Sequence, residues 1–187
     1  MQYSVGAVMN LKQLFSIATP IIFVLTASLI AGAVASTAHA AVKVAVFEFE
    51  LRHGDIVPGT PSKKEAEDKR RAMITERLRH HLAEAGFEVV DTGPFAKKVA
   101  AANLQACGDC AADFARELGA DYAFTGVVYK VSELVLSMSV LVHAAAASQP
   151  VTSATVDLRG NTDESWRRAI DYLYRHVLSA RLERLKE

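Results

Sequence analysis

The chain has 187 residues, 51% of them apolar, and carries 21 basic and 21 acidic side chains for a formal net charge of zero. That balance leaves no basic stripe for a phosphate backbone and so excludes a nucleic-acid partner. The apolar excess is concentrated in residues 1–40 rather than spread over a series of membrane spans.

Residues 1–40 contain one charged side chain, Lys12, then an apolar run over 14–25, and close on Ala38-His39-Ala40. A basic start, an apolar middle and an A-x-A end predict a signal peptide cut after Ala40. The competing reading is an uncleaved anchor, since the stretch approaches the roughly 20 residues that span a bilayer. Small residues dilute its second half, which favours cleavage. Met9-Asn10-Leu11-Lys12 is a compact basic opening, so Met9 is an alternative start to Met1. Cleavage would leave 41–187 as a single domain with 20 basic and 21 acidic residues and no second run long enough to span a bilayer. The expected address is the periplasm, with no lipobox cysteine to anchor a lipid.

Along 41–187 the β-branched and aromatic run 42–51 predicts a strand, and Gly54, Pro58, Gly59 and Pro61 a loop. Ser62, with Glu65 three residues on, reads as the cap of a helix whose Ile74, Leu78, Leu82 and Ala85 form an apolar stripe, stopped by Gly86. A strand over 87–91, a turn at 92–94 and a short helix over 95–103 come next. A further helix starts near Cys107 or Asp109 and ends at 118–120. Strands are expected at 121–131, 134–143 and 151–158; in the second, Leu134, Leu136, Met138, Val140 and Val142 alternate with Ser137, Ser139 and His143. Asn161 reads as the cap of a last helix with the stripe Trp166, Ile170, Leu173, Val177 and Leu185. The order β-α-β-α-β-β-β-α predicts an α/β (α+β) two-layer sandwich, its mixed sheet of about five strands parallel first and a meander later.

Cys107 and Cys110 are the sharpest local motif. In an exported protein the pair is expected to form a disulfide that pins the start of the next helix. A Cys-x-x-Cys at a helix start also suits thiol–disulfide chemistry, here through Cys107, because the helix dipole stabilises a thiolate. Against that use, Leu104-Gln105-Ala106 precedes the motif where redox proteins place a core strand. Zinc would need two further ligands at matching spacing, and none is present, so no metal or cofactor is expected.

Glu48 and Glu50 lie two apart near the end of a strand, and Asp91 ends the neighbouring one. Ligands favour the carboxyl ends of strands in open α/β sheets, which makes these three carboxylates a candidate ligand cleft. Arginine pairing would leave them purely structural. His80 and His81 are adjacent on a helix and point about 100° apart; with His53 and His143 they read as surface histidines. The segment with Arg159, Asn161, Asp163 and Trp166 is dense in cap residues and offers a candidate partner surface, the alternative being a turn with an aromatic anchor. Nucleophile elbows, phosphate loops and dinucleotide fingerprints are absent.

Val44-Ala45-Val46-Phe47-Glu48-Phe49-Glu50-Leu51, Asn103-Leu104-Gln105-Ala106-Cys107-Gly108-Asp109-Cys110, Gly119-Ala120-Asp121-Tyr122 and Arg159-Gly160-Asn161-Thr162-Asp163-Glu164-Ser165-Trp166 resemble a family of small exported proteobacterial proteins catalogued as a domain of unknown function. That resemblance implies an exported domain and no reaction, and its setting suggests periplasmic quinoprotein oxidation. More remotely, the opening strand and Leu118-Gly119-Ala120-Asp121-Tyr122 before Thr125-Gly126 resemble α/β domains of the TolB amino-terminal, curli-secretion and penicillin-binding-protein-activator type. Those are periplasmic interaction modules. The expectation is therefore a non-enzymatic accessory protein that engages a periplasmic or outer-membrane partner, the alternative being a thiol–disulfide helper acting through Cys107 and Cys110.

Overall fold

The computed structural model describes residues 40–54, 61–147 and 149–186; the expected signal peptide lies outside them. Among the described residues no helix is long and apolar enough to cross a membrane.

Six strands form one open mixed sheet: β1 (Lys43–Val46), β2 (Glu50–His53), β3 (Glu88–Val90), β4 (Tyr122–Lys130), β5 (Val135–Ala144) and β6 (Pro150–Arg159). The order is β3-β1-β4-β5-β6, with β2 also paired to β4. β1 runs parallel to β3 and β4, while β4, β5 and β6 are antiparallel. This is the expected α/β mixed sheet, with a sixth strand because the run predicted over 42–51 is broken.

The break has a definite register. Val46 pairs with Phe124 and Glu50 with Val127, so residues 47–49 stand opposite only Thr125 and Gly126. One extra residue in a pair is a bulge, which re-aims the side chains beyond it. Phe47 and Phe49 are two apart yet join different apolar clusters on opposite faces of the sheet. Phe49 needs room over β4, and Gly126 supplies it: a Cβ there would lie 2.4 Å from the Phe49 ring.

A buried break also strands backbone groups, and these require partners. They come from α1 (Pro61–Glu84). The Thr75 hydroxyl accepts from Phe49 N at 3.1 Å and donates to Arg71 O at 2.8 Å. Arg71 donates to Phe49 O at 3.1 Å and Arg79 to Val46 O at 2.8 Å. Spacing of four places Arg71, Thr75 and Arg79 on one flank of the helix, beside the apolar stripe Ile74, Leu78 and Leu82, which is buried as expected. The helix begins at Pro61, a residue suited to a first turn, and not after Ser62.

The carboxyl-terminal helix packs on the same face in three pieces: α4 (Asp163–Tyr172), a π-helical segment Leu173–Leu178 and α5 (Ser179–Glu183). The wider turn rotates the stripe, so Trp166, Ile170 and Leu173 are followed in the core by Leu178 and Leu182, and Val177 and Leu185 are only partly buried. The cap is Thr162, whose side chain accepts from Ser165 N at 3.2 Å, and not Asn161.

On the opposite face α2 (Ala96–Ala101) and α3 (Cys110–Glu117) lie in the connection from β3 to β4. Ala111, Ala115 and Leu104 cover Ala45, Phe47 and Ala123 there. The expected surface position of His143 is overturned by this second layer: the side chain is 4% exposed. Its Nε2 lies 3.4 Å from Thr125 Oγ1, and Nδ1 finds no hydrogen-bond partner among the described residues. Burial pushes its pKa down, with Asp109 acting in the opposite sense. Over β5 and β6 the same face stays open, with Ser153, Thr155 and Asp157 exposed.

Substituting Gly126 by alanine forces the Phe49 ring out of its slot. Overpacking of this kind costs about 1–3 kcal/mol, read as a lower urea midpoint with an unchanged slope, and Gly126→Val should lose more.

Candidate functional site

Two places gather the chemistry the sequence pointed to. The first is a cleft of about 1100 Å³ at the carboxyl ends of β1 and β3, where strand-end geometry places ligands in open sheets. Glu48, Glu50 and Asp91 all line it, with Arg52, Arg71, Arg79 and Asn103. The structure thus brings the three carboxylates together, despite the break between Val46 and Glu50.

Basic partners occupy two of them. Glu48 lies 3.3 Å from Arg71, and Arg71 also donates to Asp68 at 2.7 Å. Glu50 accepts from Arg52 at 3.0 Å and from Leu104 N at 3.1 Å, which joins β2 to the connection ahead of α3. Arg79 reaches Thr92 at 3.0 Å. Asp91 accepts from Gly93 N at 2.8 Å in an Asx turn and has no basic partner among the described residues. The cleft wall is therefore a lattice of compensated charges rather than a bare acidic pocket.

The second place is a polar network beneath the β4–β5 hairpin. Lys130 and Glu67 are 3% and 2% exposed and meet at 2.5 Å; Lys130 also donates to Glu133 at 2.7 Å. Asn161 donates to Glu67 at 2.8 Å and to Glu133 at 3.0 Å, and accepts from Trp166 Nε1 at 2.9 Å and from Arg70 at 3.2 Å. Both hydrogens and both lone pairs of its amide are used. Burial opposes the Lys130 charge, but the hydrogen bonds to Glu133 and Glu67 outweigh it and hold the pKa above its ordinary value. Hydrogen bonds from Lys130 and Asn161 bring Glu133 down to about 2.

This network revises the candidate partner surface. Trp166 is 0% exposed and so presents no surface, and the half-buried Asn161 commits its amide to the network. Asp163 is exposed and paired with Arg70 at 2.7 Å. Arg159 is exposed and lies opposite Val135 in the ladder, at the margin of the hairpin.

Cys107 and Cys110 are placed as a disulfide-capable pair, with Cα atoms 5.8 Å apart. Asp109 is the residue before the first turn of α3 and Cys110 is the first helical residue. Cys107 therefore lies ahead of the helix, outside the turn whose dipole would stabilise its thiolate. Between the two cysteines Gly108 adopts a φ of +69°, a conformation glycine accepts without strain.

Sequence reasoning missed Arg71, Thr75 and Arg79, whose only signal was a polar file at intervals of four along a helix with a separate apolar stripe. It also missed the Lys130–Glu67 pair, which joins residues 63 positions apart.

The low pKa of Glu133 sets a pH dependence. A carboxyl whose folded pKa is depressed contributes stability above its unfolded pKa and loses it as pH falls toward the folded one. Chemical denaturation between pH 5 and about 2 should show a steeper loss of stability for the native chain than for Glu133→Gln.

Similarity to known structures concerns the fold. The chain is similar to the LpoB carboxyl-terminal domain from Salmonella enterica (18% identity, 66% of this chain and 87% of that one, TM-score 0.44). It is likewise similar to the lipoprotein GNA1162 from Neisseria meningitidis (12% identity, 77% and 96%, TM-score 0.47). A third likeness is to PelC from Paraburkholderia phytofirmans, solved as a dodecamer (16% identity, 72% and 86%, TM-score 0.42). No curated protein matches the sequence. Residues 42–178, which span every strand and the helices from α1 to the π-helical segment, match the DUF3280 model, described as "Protein of unknown function (DUF2380)", and the chain belongs to that family.

Proposed function

We propose that this chain is an exported accessory module that works in the periplasm without a catalytic step and engages another exported protein through its β4–β5 hairpin. One observation carries the reading. Tyr129, Val131, Leu134 and Val135 cluster at the hairpin, four of the six large apolar side chains exposed among the described residues, and Leu134 is 73% exposed. Apolar side chains gathered on one surface, rimmed by polar ones, are what protein interfaces offer. The rim here is Arg159 and the Ser137 and Ser139 face of β5.

Rigidity supports the same reading. The hairpin tip is held from beneath by Lys130, Glu133 and Asn161, and Glu133 O accepts from Asn161 N at 2.9 Å. A preorganised patch loses little entropy on binding. The near-neutral charge agrees with a protein partner rather than a polyanion. The cysteine pair, spanning the start of α3 on the face opposite α1, is read as a staple for the turn into that helix.

The experiment is photo-crosslinking in the periplasm, with the reactive side chain placed at Leu134 or Val135 and, as control, at exposed Lys97 on α2. A single defined adduct is expected from the hairpin positions and none from Lys97. Leu134→Asp with Val135→Asp should reduce that adduct at least tenfold while leaving the melting temperature within a few degrees. Equal adducts at Lys97, or an undiminished adduct in the double variant, would reject the reading.

Replacing Cys107 and Cys110 by serine separates the accessory role from a thiol–disulfide one. Closing so short a loop is worth about 2 kcal/mol at most, so the variant should melt a few degrees lower and still give the hairpin adduct. Loss of biological activity with the fold and the adduct intact would instead favour the redox helper.

A further inference from the structure

The last turn of α1, away from the cleft and the hairpin, gathers three side chains with donor atoms suited to a metal ion. Adjacent helical residues diverge by about 100°, so His80 and His81 alone would not share an ion. Glu84 changes this, standing four residues after one and three after the other, within reach of both. Its Oε2 lies 3.1 Å from His80 Nδ1 and 3.7 Å from His81 Nδ1. One donor atom from each of the three residues lies within 4.8 Å of the other two. Two ligands held at about 2.1 Å by a tetrahedral ion stand about 3.4 Å apart. The two histidine–glutamate separations bracket that value.

His81 supplies an independent observation. The expectation that it lies on the surface is overturned: its ring stacks on Tyr174, centroids 4.7 Å and planes 7° apart. Its Nε2 is 2.8 Å from Asp171 Oδ1. An ionised carboxylate only accepts, so Nε2 carries the hydrogen and Nδ1 is the ring nitrogen left for an ion. Nδ1 faces the Glu84 carboxylate across 3.7 Å, too far for a hydrogen bond. A zinc-type ion placed between them would be held by both.

The support behind the ring is equally definite. Arg77 grips Asp171 through Nε at 2.5 Å and through a second nitrogen at 2.8 Å. A carboxylate behind a ligating histidine is the usual outer support of a metal site, since it fixes both tautomer and ring orientation.

We propose that His80 Nδ1, His81 Nδ1 and the Glu84 carboxylate bind a divalent transition-metal ion of the zinc type, with Asp171 as the positioning residue behind His81. Imidazole donors select zinc, copper or nickel over calcium and magnesium. His80 and Glu84 are exposed, which leaves the remaining coordination positions to water.

The test titrates zinc into the untagged, metal-stripped chain by calorimetry, with cobalt absorption as a second readout of coordination. Binding of one ion per chain is expected, together with the intense visible bands of tetrahedral cobalt. His80→Ala and Glu84→Gln alter exposed side chains and should each weaken binding at least tenfold without shifting the thermal melt of the metal-free protein. Asp171→Asn should weaken it about 10–100-fold, whereas exposed His176→Ala should leave it unchanged. No stoichiometric uptake of zinc, or equal affinity in His80→Ala and Glu84→Gln, would overturn the proposal.

Discussion

The fold depends on how the gap in its first strand is closed. Between Val46 and Glu50 the chain leaves the β4 ladder. A buried strand that does so exposes polar backbone groups to an apolar interior, at about 1–3 kcal/mol for each one left unmet. Arg71, Thr75 and Arg79 meet them from one flank of α1. The helix is thereby oriented twice over, by the apolar stripe through Ile74, Leu78 and Leu82 and by this polar file beside it. The same two guanidinium groups reach Glu48 and Thr92 in the cleft wall. Closing the strand and shaping the cleft are thus one arrangement of side chains.

A second constraint joins elements that are distant in sequence. Lys130 ends β4, Glu67 lies on α1, Glu133 forms the hairpin turn and Asn161 precedes α4, and their hydrogen bonds meet at one point. A buried ion pair adds little net stability against an apolar replacement, but removing one partner is strongly destabilising. Its effect here is positional. With the hairpin backbone gripped from below, Leu134 and Val135 need no burial to stay in place, and an apolar tip can face solvent.

Much of the fold was legible because its signals are local. The period of the Ile74–Leu78–Leu82 stripe and the alternation from Leu134 to Val142 can be read within a dozen residues, and both faces are buried as expected except at Leu134, which stands in the hairpin and is exposed. Glu48, Glu50 and Asp91 reach one cleft because strand ends in a parallel sheet share an edge. The bulge was not legible: Phe47 and Phe49 continue an apolar strand pattern, and only Gly126, far along the chain, tells that one ring must cross β4. The π-helical segment at Leu173–Leu178 likewise leaves composition unchanged while shifting which residues face the core. His81 and His143 read as surface residues because nothing in their neighbourhoods announces Tyr174, Asp171 or the layer formed by α3.

The sequence by itself determined the order of elements apart from the split of the first strand, the mixed sheet, the near-neutral charge and the pairing of Cys107 with Cys110 as neighbours in space. Each follows from propensity, periodicity or short spacing, which are properties of a few consecutive residues. Only the tertiary structure decided that Asn161 turns inward while Thr162 caps, that Trp166 is core rather than surface, and that arginines compensate Glu48 and Glu50 in the cleft. It also decided that Glu84 unites two divergent histidines and that Asp171 orients one of them. These outcomes depend on which polar atoms meet across long stretches of chain. A polar side chain carries no mark of its partner until packing removes water and forces it to find one.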